Sequence, residues 1–423
     1  MSDVADEPGS SSGPPSESAG GVLSVEEIRT AFPALEREHS GHPVAYFDGP
    51  GGTQVPRVVA DAITESLLHH NANRRWAYPA SAEVDATVHG VRDAMADFFG
   101  CSADDVVFGG NMTTLTYHLS RTLGADWGEG DEIVVTRLDH FANISPWRAL
   151  EAERGVTIVE VPFDPTSGRL DQDALHAAIT EKTVLVAVGE ASNILGTVTD
   201  LAPVVARARE TGALLFVDAV HSAPHILPDV LRLGCDFLAC SPYKFYGPHA
   251  GVLYAPAELL DSLSVPRLPC APQVAPERFE TGTQSHEAMA GTTAAVDFLS
   301  SLSGAGGSRR EHLQRTFSVL HERGEALVSR MWDGLTAIDG VTTYGPPPGT
   351  PRTPTVAFSV RDRDPRLVAS HLSSHHGIFA SHGHFYAAYV TEDLGVDGVV
   401  RAGCACYTTA DEVDRLIRGV AEL

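Results

Sequence analysis

The sequence predicts an α/β fold in which a mostly parallel sheet lies between layers of helices. Short apolar runs of β-type residues alternate with segments of helical period, which is the rhythm of βαβ units. These runs lie at 106–108, 132–135, 184–188, 214–217, 237–238 and 251–254. After a Ser/Gly-rich stretch at 300–308, a long helical segment, separate strands and a closing helix follow. This change of pattern predicts a second, smaller α+β domain.

Signals along the chain give each part of this architecture its bounds. Residues 1–22 are rich in Ser, Gly, Pro, Asp and Glu and are predicted to be disordered. Ser24 and Glu27 form a capping box that begins a short helix, and the segment 23–45 is expected to pack with the small domain. The large domain is predicted at 46–299 and the small domain at 300–423, and the small domain contains a helical segment at 311–337 and strands at 355–359 and 398–402.

Composition excludes several classes of function. A formal net charge of −25 without a basic stripe argues against a nucleic-acid-binding protein. No apolar stretch reaches the roughly 18 residues that cross a bilayer, and the pattern of a secretion signal is missing. We therefore expect a cytoplasmic location and no membrane partner. The six cysteines show neither CxxC pairs nor the histidine spacing of a zinc site, so no metal site is predicted.

Lysine is rare in this chain, where it occurs only at Lys182 and Lys244. An arginine cannot form an imine, whereas a lysine amine with a lowered pKa condenses with carbonyl groups. Lys182 lies in a polar connection, as expected for an exposed charge. Lys244 follows the predicted strand 237–238 in a turn rich in aromatic residues, proline and glycine. It is either a reactive amine at the carboxyl edge of the sheet or a lysine that snorkels over an aromatic cluster.

Other polar residues follow predicted strands at the same edge. Asp218 comes directly after the strand 214–217 and is either a partner for a protonated ring nitrogen, a helix N-cap or a member of a structural ion pair. Two glycines at 109–110 lead into a predicted helix start at 111–114. Free N–H groups and the helix dipole at such a start favour binding of a phosphate group. An ordinary capped helix without a ligand has the same pattern. His140 adds a flat ring after another strand. Together these residues indicate a ligand site at the sheet edge.

Seven segments resemble the class V aminotransferase group of pyridoxal 5'-phosphate (PLP) enzymes, and specifically its cysteine desulfurase-like branch. In the order of the chain they are YFDGPGGTQVP (46–56), NMTT (111–114), DHFANISPW (139–147), ASNILGT (191–197), VDAVH (217–221), SPYK (241–244) and FETGT (279–283). The resemblance covers nearly everything from Ser24 onward. It implies the PLP-dependent transferase fold type I, with a mostly parallel seven-stranded sheet in the large domain.

The resemblance also implies a set of cofactor-binding residues. Lys244 resembles the lysine that forms a Schiff base with PLP, Asp218 the partner of the pyridine nitrogen, and His140 the ring stacked on the cofactor. Further positions resemble those that hold the phenolic oxygen and the phosphate group, namely Asn193 and His221 for the oxygen and Thr113, Ser241 and Tyr243 for the phosphate.

For the substrate and the assembly, the resemblance implies two further residues. Arg401 resembles the arginine that binds the carboxylate of an amino-acid substrate bidentately, a geometry that lysine cannot reproduce. Thr283 is expected to reach the phosphate from the other subunit of a homodimer. The implied partners are a small amino acid and a second copy of the chain.

Two departures from the desulfurase pattern bear on the reaction. Tyr243 stands where a histidine commonly precedes the lysine, and its hydroxyl could still bind phosphate. In cysteine desulfurases a loop carries the nucleophilic cysteine in a motif of the type RTGHHC. The corresponding segment of this chain, 381–386, reads SHGHFY and contains no cysteine.

Cleavage of the C–S bond of cysteine or a cysteine derivative, with direct release of sulfide or an external acceptor, is the predicted function. The alternatives are an aminotransferase or an epimerase or racemase of another amino acid, and, in a different class, an inactive interaction subunit with this fold.

Overall fold

The computed structural model describes residues 21–423. The predicted disordered tail, residues 1–22, therefore lies outside the described residues except for its last two positions. At those positions Val22 is buried and forms an isolated antiparallel bridge with Ser303. The last residue of the predicted tail, Val22, therefore packs against the folded part of the protein.

The strands of the described residues form two main sheets and three two-stranded pairs. They are β1 (Glu38–His39), β2 (His42–Pro43), β3 (Ala45–Tyr46), β4 (Val106–Gly109), β5 (Glu132–Thr136), β6 (Thr157–Val161), β7 (Phe163–Asp164), β8 (Arg169–Leu170), β9 (Thr183–Gly189), β10 (Leu214–Asp218), β11 (Phe237–Cys240), β12 (Gly251–Tyr254), β13 (Val341–Tyr344), β14 (Thr355–Val360), β15 (Ile378–Phe379), β16 (Ser381–Gly383) and β17 (Val399–Gly403).

The large sheet has seven strands in the order β4-β12-β11-β10-β9-β5-β6. Every neighbouring pair is parallel except those that include β12, which runs antiparallel to β11 and β4. Strand β12 reverses because the connection 241–250 is short, and a parallel crossover needs a dozen or more residues. Helices cover both faces of this sheet, so strands such as β11 are buried along their whole length. The predicted α/β class and mostly parallel seven-stranded sheet are confirmed.

The helices alternate with the strands as the sequence indicates. They are α1 (Val25–Arg29), α2 (Arg57–His69), α3 (Pro79–Phe99), α4 (Met112–Leu123), α5 (Ser145–Arg154), α6 (Gln172–Ala178), α7 (Ala202–Thr211), α8 (Val230–Leu233), α9 (Ala257–Ser262), α10 (His286–Ser301), α11 (Arg309–Thr336), α12 (Pro365–His376), α13 (Ala388–Asp393) and α14 (Ala410–Ala421). The capping box at α1 is formed, because Ser24 Oγ accepts from the Glu27 N–H and the Glu27 carboxylate accepts from the Ser24 N–H. In the described part of the chain, no helix combines the length and the apolar character that crossing a membrane requires.

The second sheet is antiparallel, with the order β13-β14-β17-β16, and packs with α11, α12 and α14 around a separate apolar core. The sequence indicated only the strands now seen as β14 and β17. Strand β13 is partly exposed and β16 reads Ser-His-Gly, so neither shows an apolar pattern. Near the N-terminus, β3 pairs in parallel with β15, which connects the first residues of the fold to this sheet.

Candidate active site

A cavity of about 560 Å³ lies at the edge of the large sheet where its parallel strands end. Its lining comes from the loops that follow β4, β5, β9, β10 and β11, and α/β sheets bind their ligands at this edge. The structure brings eight of the predicted site residues to the cavity, namely Thr113, His140, Asn193, Asp218, His221, Ser241, Tyr243 and Lys244.

Lys244 ends the short 3-10 turn Pro242–Lys244, which directly follows β11. Its side chain is buried rather than snorkelling to solvent. Burial lowers the pKa of the Lys244 amine to about 7; the positive charge of Arg401 also lowers it, and the Asp218 carboxylate opposes both. A much larger share of this amine is therefore neutral at pH 7 than of a free lysine, and the neutral form is the one that acts as a nucleophile or base. Lys182, by contrast, is exposed in the turn before β9.

Two buried carboxylates share the floor of the cavity. Asp218 is the last residue of β10 and accepts a hydrogen bond of 2.9 Å from the Val220 N–H, while burial raises its pKa to about 6. Asp139 accepts from the Gly189 N–H with both oxygens, at 3.0 Å, and burial together with the charge of Asp218 raises its pKa to about 7. The sequence does not indicate a role for Asp139, although this residue precedes His140 in one of the seven matched segments.

The His140 ring follows β5 and forms one wall of the cavity. Its Nδ1 accepts a hydrogen bond of 2.9 Å from the Ala142 N–H, and burial, followed by the positive charges of Lys244 and Arg401, lowers its pKa to about 4. The ring is therefore neutral and carries its proton on Nε2. A neutral flat ring can stack on an aromatic ligand.

One corner of the cavity is the N-terminus of α4. The Asn111 side chain caps this helix by accepting from the Thr114 N–H at 2.8 Å, and the Met112 N–H donates to Ser241 Oγ at 3.3 Å. Thr113, in the first turn, lines the cavity beside Ser241. Hydroxyl groups and N–H groups at a helix N-terminus form a binding site for an anion such as phosphate.

The opposite side of the cavity contains two polar atoms that lack a partner. Asn193 donates from Nδ2 to the Phe385 carbonyl at 3.0 Å, and His221 Nε2 lies 3.0 Å from Thr353 Oγ1. Asn193 Oδ1 and His221 Nδ1 are buried and make no hydrogen bond within residues 21–423. Since an unpaired buried polar atom costs roughly 1–3 kcal/mol, these two atoms indicate that the cavity takes a polar ligand.

Arg401 lies on β17 behind Asn193 and is buried. Its Nη1 donates to the Asn193 carbonyl at 2.8 Å, Nη2 lies 3.4 Å from Ser381 Oγ, and the buried Nε has no partner in the described chain. Burial lowers the pKa of Arg401 to about 9, and the nearby Asp48 carboxylate opposes this. Burial raises the pKa of Asp48 to about 6. Asp48 belongs to the first matched segment, but the sequence analysis gave it no function.

The 381–386 loop of the small domain covers this arginine. The Phe385 ring centroid lies 3.9 Å from the guanidinium carbon of Arg401. Both Phe385 and Tyr386 have left-handed backbone conformations, with φ of 50° and 56°. The conformation is held by hydrogen bonds from Asn193 Nδ2 to the Phe385 carbonyl and from the Phe141 N–H to the Tyr386 carbonyl, at 3.0 and 2.7 Å. Such strain of about 1–3 kcal/mol per residue is typical of functional segments.

Thr283 does not reach the cavity of its own chain. It is exposed and lines a separate surface depression near Gly109 and His249. Its predicted role across a dimer interface stays a prediction.

The comparisons with known proteins agree with this geometry. The family model described as Aminotransferase class-V matches residues 45–416. The chain belongs to the class V aminotransferase family. This family member is 33% identical to a cysteine desulfurase of Klebsiella pneumoniae over 418 residues, which are 95% of this chain and 98% of that protein.

Solved structures support the family assignment. The apo structure of the cysteine desulfurase from Thermococcus onnurineus matches with a TM-score of 0.85 at 28% identity, over 94% of this chain and 97% of that chain. A C-DES mutant with glycine covalently linked to its PLP cofactor shares the fold, with a TM-score of 0.74 at 24% identity over 93% and 99% of the two chains.

As a member of the class V aminotransferase family, the protein is a PLP-dependent enzyme. The residues of the cavity fit this cofactor. A buried amine with a lowered pKa lies near a buried carboxylate, a helix N-terminus offers an anion site, and two unpaired polar atoms lie between them. These features match the aldehyde, the ring nitrogen, the phosphate and the phenolic oxygen of PLP.

Proposed function

We propose that this enzyme breaks the C–S bond of cysteine or of a cysteine derivative. The observation that carries the proposal is a cavity with Lys244 and Asp218 in a chain that is similar, over 95% of its length, to a cysteine desulfurase. A buried amine with a pKa of about 7 suits both capture of a carbonyl group and proton transfer at neutral pH.

Bound PLP supplies an aldehyde that takes up an amino group and a ring that accepts the electrons of a broken Cα bond. In the proposed site Lys244 would hold the aldehyde through Nζ and, as a free neutral amine, would move a proton at Cα. Asp218, a carboxylate buried in the same cavity, would keep a proton on the ring nitrogen. His140 supplies the flat ring that orients the cofactor.

The remaining cavity residues are proposed to position the cofactor. Asn193 and His221 face the phenolic oxygen with their unpaired atoms. Thr113, Ser241 and Tyr243 bind the phosphate, and the first turn of α4 adds the Thr113 N–H, because the Met112 and Thr114 N–H groups already donate to Ser241 and Asn111.

Arg401 is proposed to bind the substrate carboxylate. Its Nη1 is already used by the Asn193 carbonyl, which leaves the unpaired Nε, together with Nη2 and its long 3.4 Å contact to Ser381 Oγ, as one edge of the guanidinium fork. Phe385 stacks against the guanidinium, so the 381–386 loop forms one wall of this carboxylate site. The loop therefore controls access to the carboxylate site, and we propose that it sets substrate specificity.

The sulfur leaves without capture by a thiol of this chain. No cysteine lies in the 381–386 loop or lines the cavity. Cys404 and Cys406 are buried, and burial raises the pKa of the Cys406 thiol to about 12, which keeps it protonated. If alanine is the product, the sulfur atom leaves at the oxidation level of elemental sulfur and goes to an external acceptor such as a thiol. If pyruvate is the product, sulfide and ammonia are released and no acceptor is needed.

We also propose a homodimer in which Thr283 of one subunit completes the phosphate site of the other. This is consistent with the exposure of Thr283 and with its distance from the cavity of its own chain. The cytoplasmic location stays a prediction.

The reaction is tested by incubating purified holoenzyme with L-cysteine, in the presence and in the absence of an added thiol. Sulfide, alanine and pyruvate are assayed separately. The proposal predicts sulfide or thiol-bound sulfur in amounts equal to alanine plus pyruvate. Conversion of the cofactor to its pyridoxamine form without sulfide would show an aminotransferase, and loss of optical activity without sulfide would show a racemase. An intact cofactor spectrum that no amino acid changes would favour the inactive subunit.

A further inference from the structure

A group of metal-ligating side chains lies on the small domain, outside the site described above. Helix α12 presents His371 and His376 near its end, and Glu422 follows α14. One ligand atom from each of the three residues lies within 4.8 Å of the other two. Glu422 Oε2 is 3.2 Å from His376 Nε2.

The two imidazoles have nitrogen atoms with no partner. The Nε2 atoms of His371 and His376 are both buried and make no well-aligned hydrogen bond in the described residues. The Glu422 carboxylate lies near His376 but out of line, and the backbone of Gly419 lies near the His371 ring. The Glu422 side chain itself is 61% exposed and can move. Two unpaired buried nitrogen atoms beside a mobile carboxylate form a polar site that a cation would complete.

The packing of the two helices holds the histidines together. Gly419 of α14 faces α12 so closely that a Cβ atom there would lie 2.9 Å from both His376 Cδ2 and Leu372 Cδ2. The His371 ring stacks on His375, with the centroids 4.6 Å apart. The contact with α14 therefore restricts large movements of the His376 ring, and the stack on His375 restricts those of the His371 ring.

We propose that His371, His376 and Glu422 bind a divalent transition metal, with Zn²⁺ as the best fit. Two imidazoles and one carboxylate are a donor set that Zn²⁺ takes with a solvent molecule as fourth ligand, whereas Mg²⁺ and Ca²⁺ prefer oxygen ligands alone. Bonds of about 2.0–2.2 Å in a tetrahedron put ligand atoms about 3.4 Å apart. Rotation of the exposed Glu422 side chain and small ring movements bring the present group to that separation. The metal links the end of α12 to the end of α14.

Metal-free holoenzyme titrated with ZnCl₂ in a calorimeter tests the site, with CaCl₂ as the control cation. Glu422→Gln is the main variant because an exposed side chain can be changed without loss of fold, and His371→Gln/His376→Gln is the second. His70→Gln is the matched control, since His70 is also a surface histidine between two carboxylates, Glu65 and Glu83.

Wild type and His70→Gln are expected to bind one Zn²⁺ per chain with equal affinity, and Zn²⁺ raises the melting temperature of both. Glu422→Gln binds at least about tenfold more weakly, since even loss of an outer-shell partner costs 10–100-fold, and the double variant loses the site. The proposal is overturned if all four proteins bind Zn²⁺ alike, if wild type binds none, or if Ca²⁺ binds as tightly as Zn²⁺.

Discussion

Replacing Arg401 with lysine keeps a positive charge on β17 but removes the guanidinium fork. In the wild type Nη1 donates to the Asn193 carbonyl at 2.8 Å, and Nε and Nη2 remain for a carboxylate. A lysine amine reaching the same carboxylate offers a single donor in place of two. The variant therefore loses one hydrogen bond between charged groups in a buried site.

A hydrogen bond to a charged group is worth about 1.5–3 kcal/mol, so kcat/KM for L-cysteine should fall about 12- to 160-fold. The assay follows sulfide release for kcat/KM and the visible absorbance of the cofactor for binding. Cysteamine, which is cysteine without its carboxylate, is the matched control ligand. Its binding should change little in Arg401→Lys.

Equal losses for cysteine and cysteamine would contradict the proposed carboxylate contact. They would mean that Arg401 acts by holding Asn193 in position. An Arg401→Lys variant with unchanged kinetics would refute the reasoning as well.

Three further predictions concern the cofactor. Asp218→Asn removes the negative charge that raises the pKa of Lys244. The pH midpoint for capture of PLP by the apoenzyme, near 7 in the wild type, should therefore move to lower pH. A midpoint that moves to higher pH would be inconsistent with this electrostatic account. His140→Ala should weaken PLP binding about 2- to 12-fold in an equilibrium titration, because one aromatic contact worth about 0.5–1.5 kcal/mol is lost. His140→Phe keeps an aromatic ring and should keep the wild-type affinity for PLP. Mixing Thr283→Ala subunits with Lys244→Ala subunits should restore activity. In the mixed dimer one site then has Lys244 from the first subunit and Thr283 from the second. No recovery of activity on mixing would place Thr283 in the site of its own subunit.

Much of the large domain could be predicted because its strands are buried on both faces. Strands such as β9, β10 and β11 therefore read as apolar runs, and their ends mark the ligand edge of the sheet. The small domain was harder to predict, because β16 pairs through its backbone and its Ser-His-Gly sequence carries no apolar signal.

The missed residues depend on contacts that are distant in sequence. The pKa of Asp139 is raised because its carboxylate is buried beside Asp218. The pKa of Asp48 is raised by burial alone, and the positive charge of Arg401 opposes the rise. Neither environment has a local sequence pattern. The Phe385 ring lies over Arg401 in a loop where Phe385 and Tyr386 adopt left-handed conformations, which aromatic residues rarely do and which the sequence therefore does not indicate.

The pair of lysines in this chain gives the most direct test of the central claim, that Lys244 carries PLP-dependent C–S cleavage. Wild type, Lys182→Ala and Lys244→Ala are purified with PLP, and sulfide release from L-cysteine is measured together with the visible spectrum of each protein. We expect sulfide release, and the absorbance of a Schiff base between PLP and the enzyme recorded before cysteine is added, in wild type and Lys182→Ala, and neither in Lys244→Ala. Sulfide release by Lys244→Ala at the wild-type rate, or a wild type that binds PLP and releases no sulfur from cysteine, would contradict the claim.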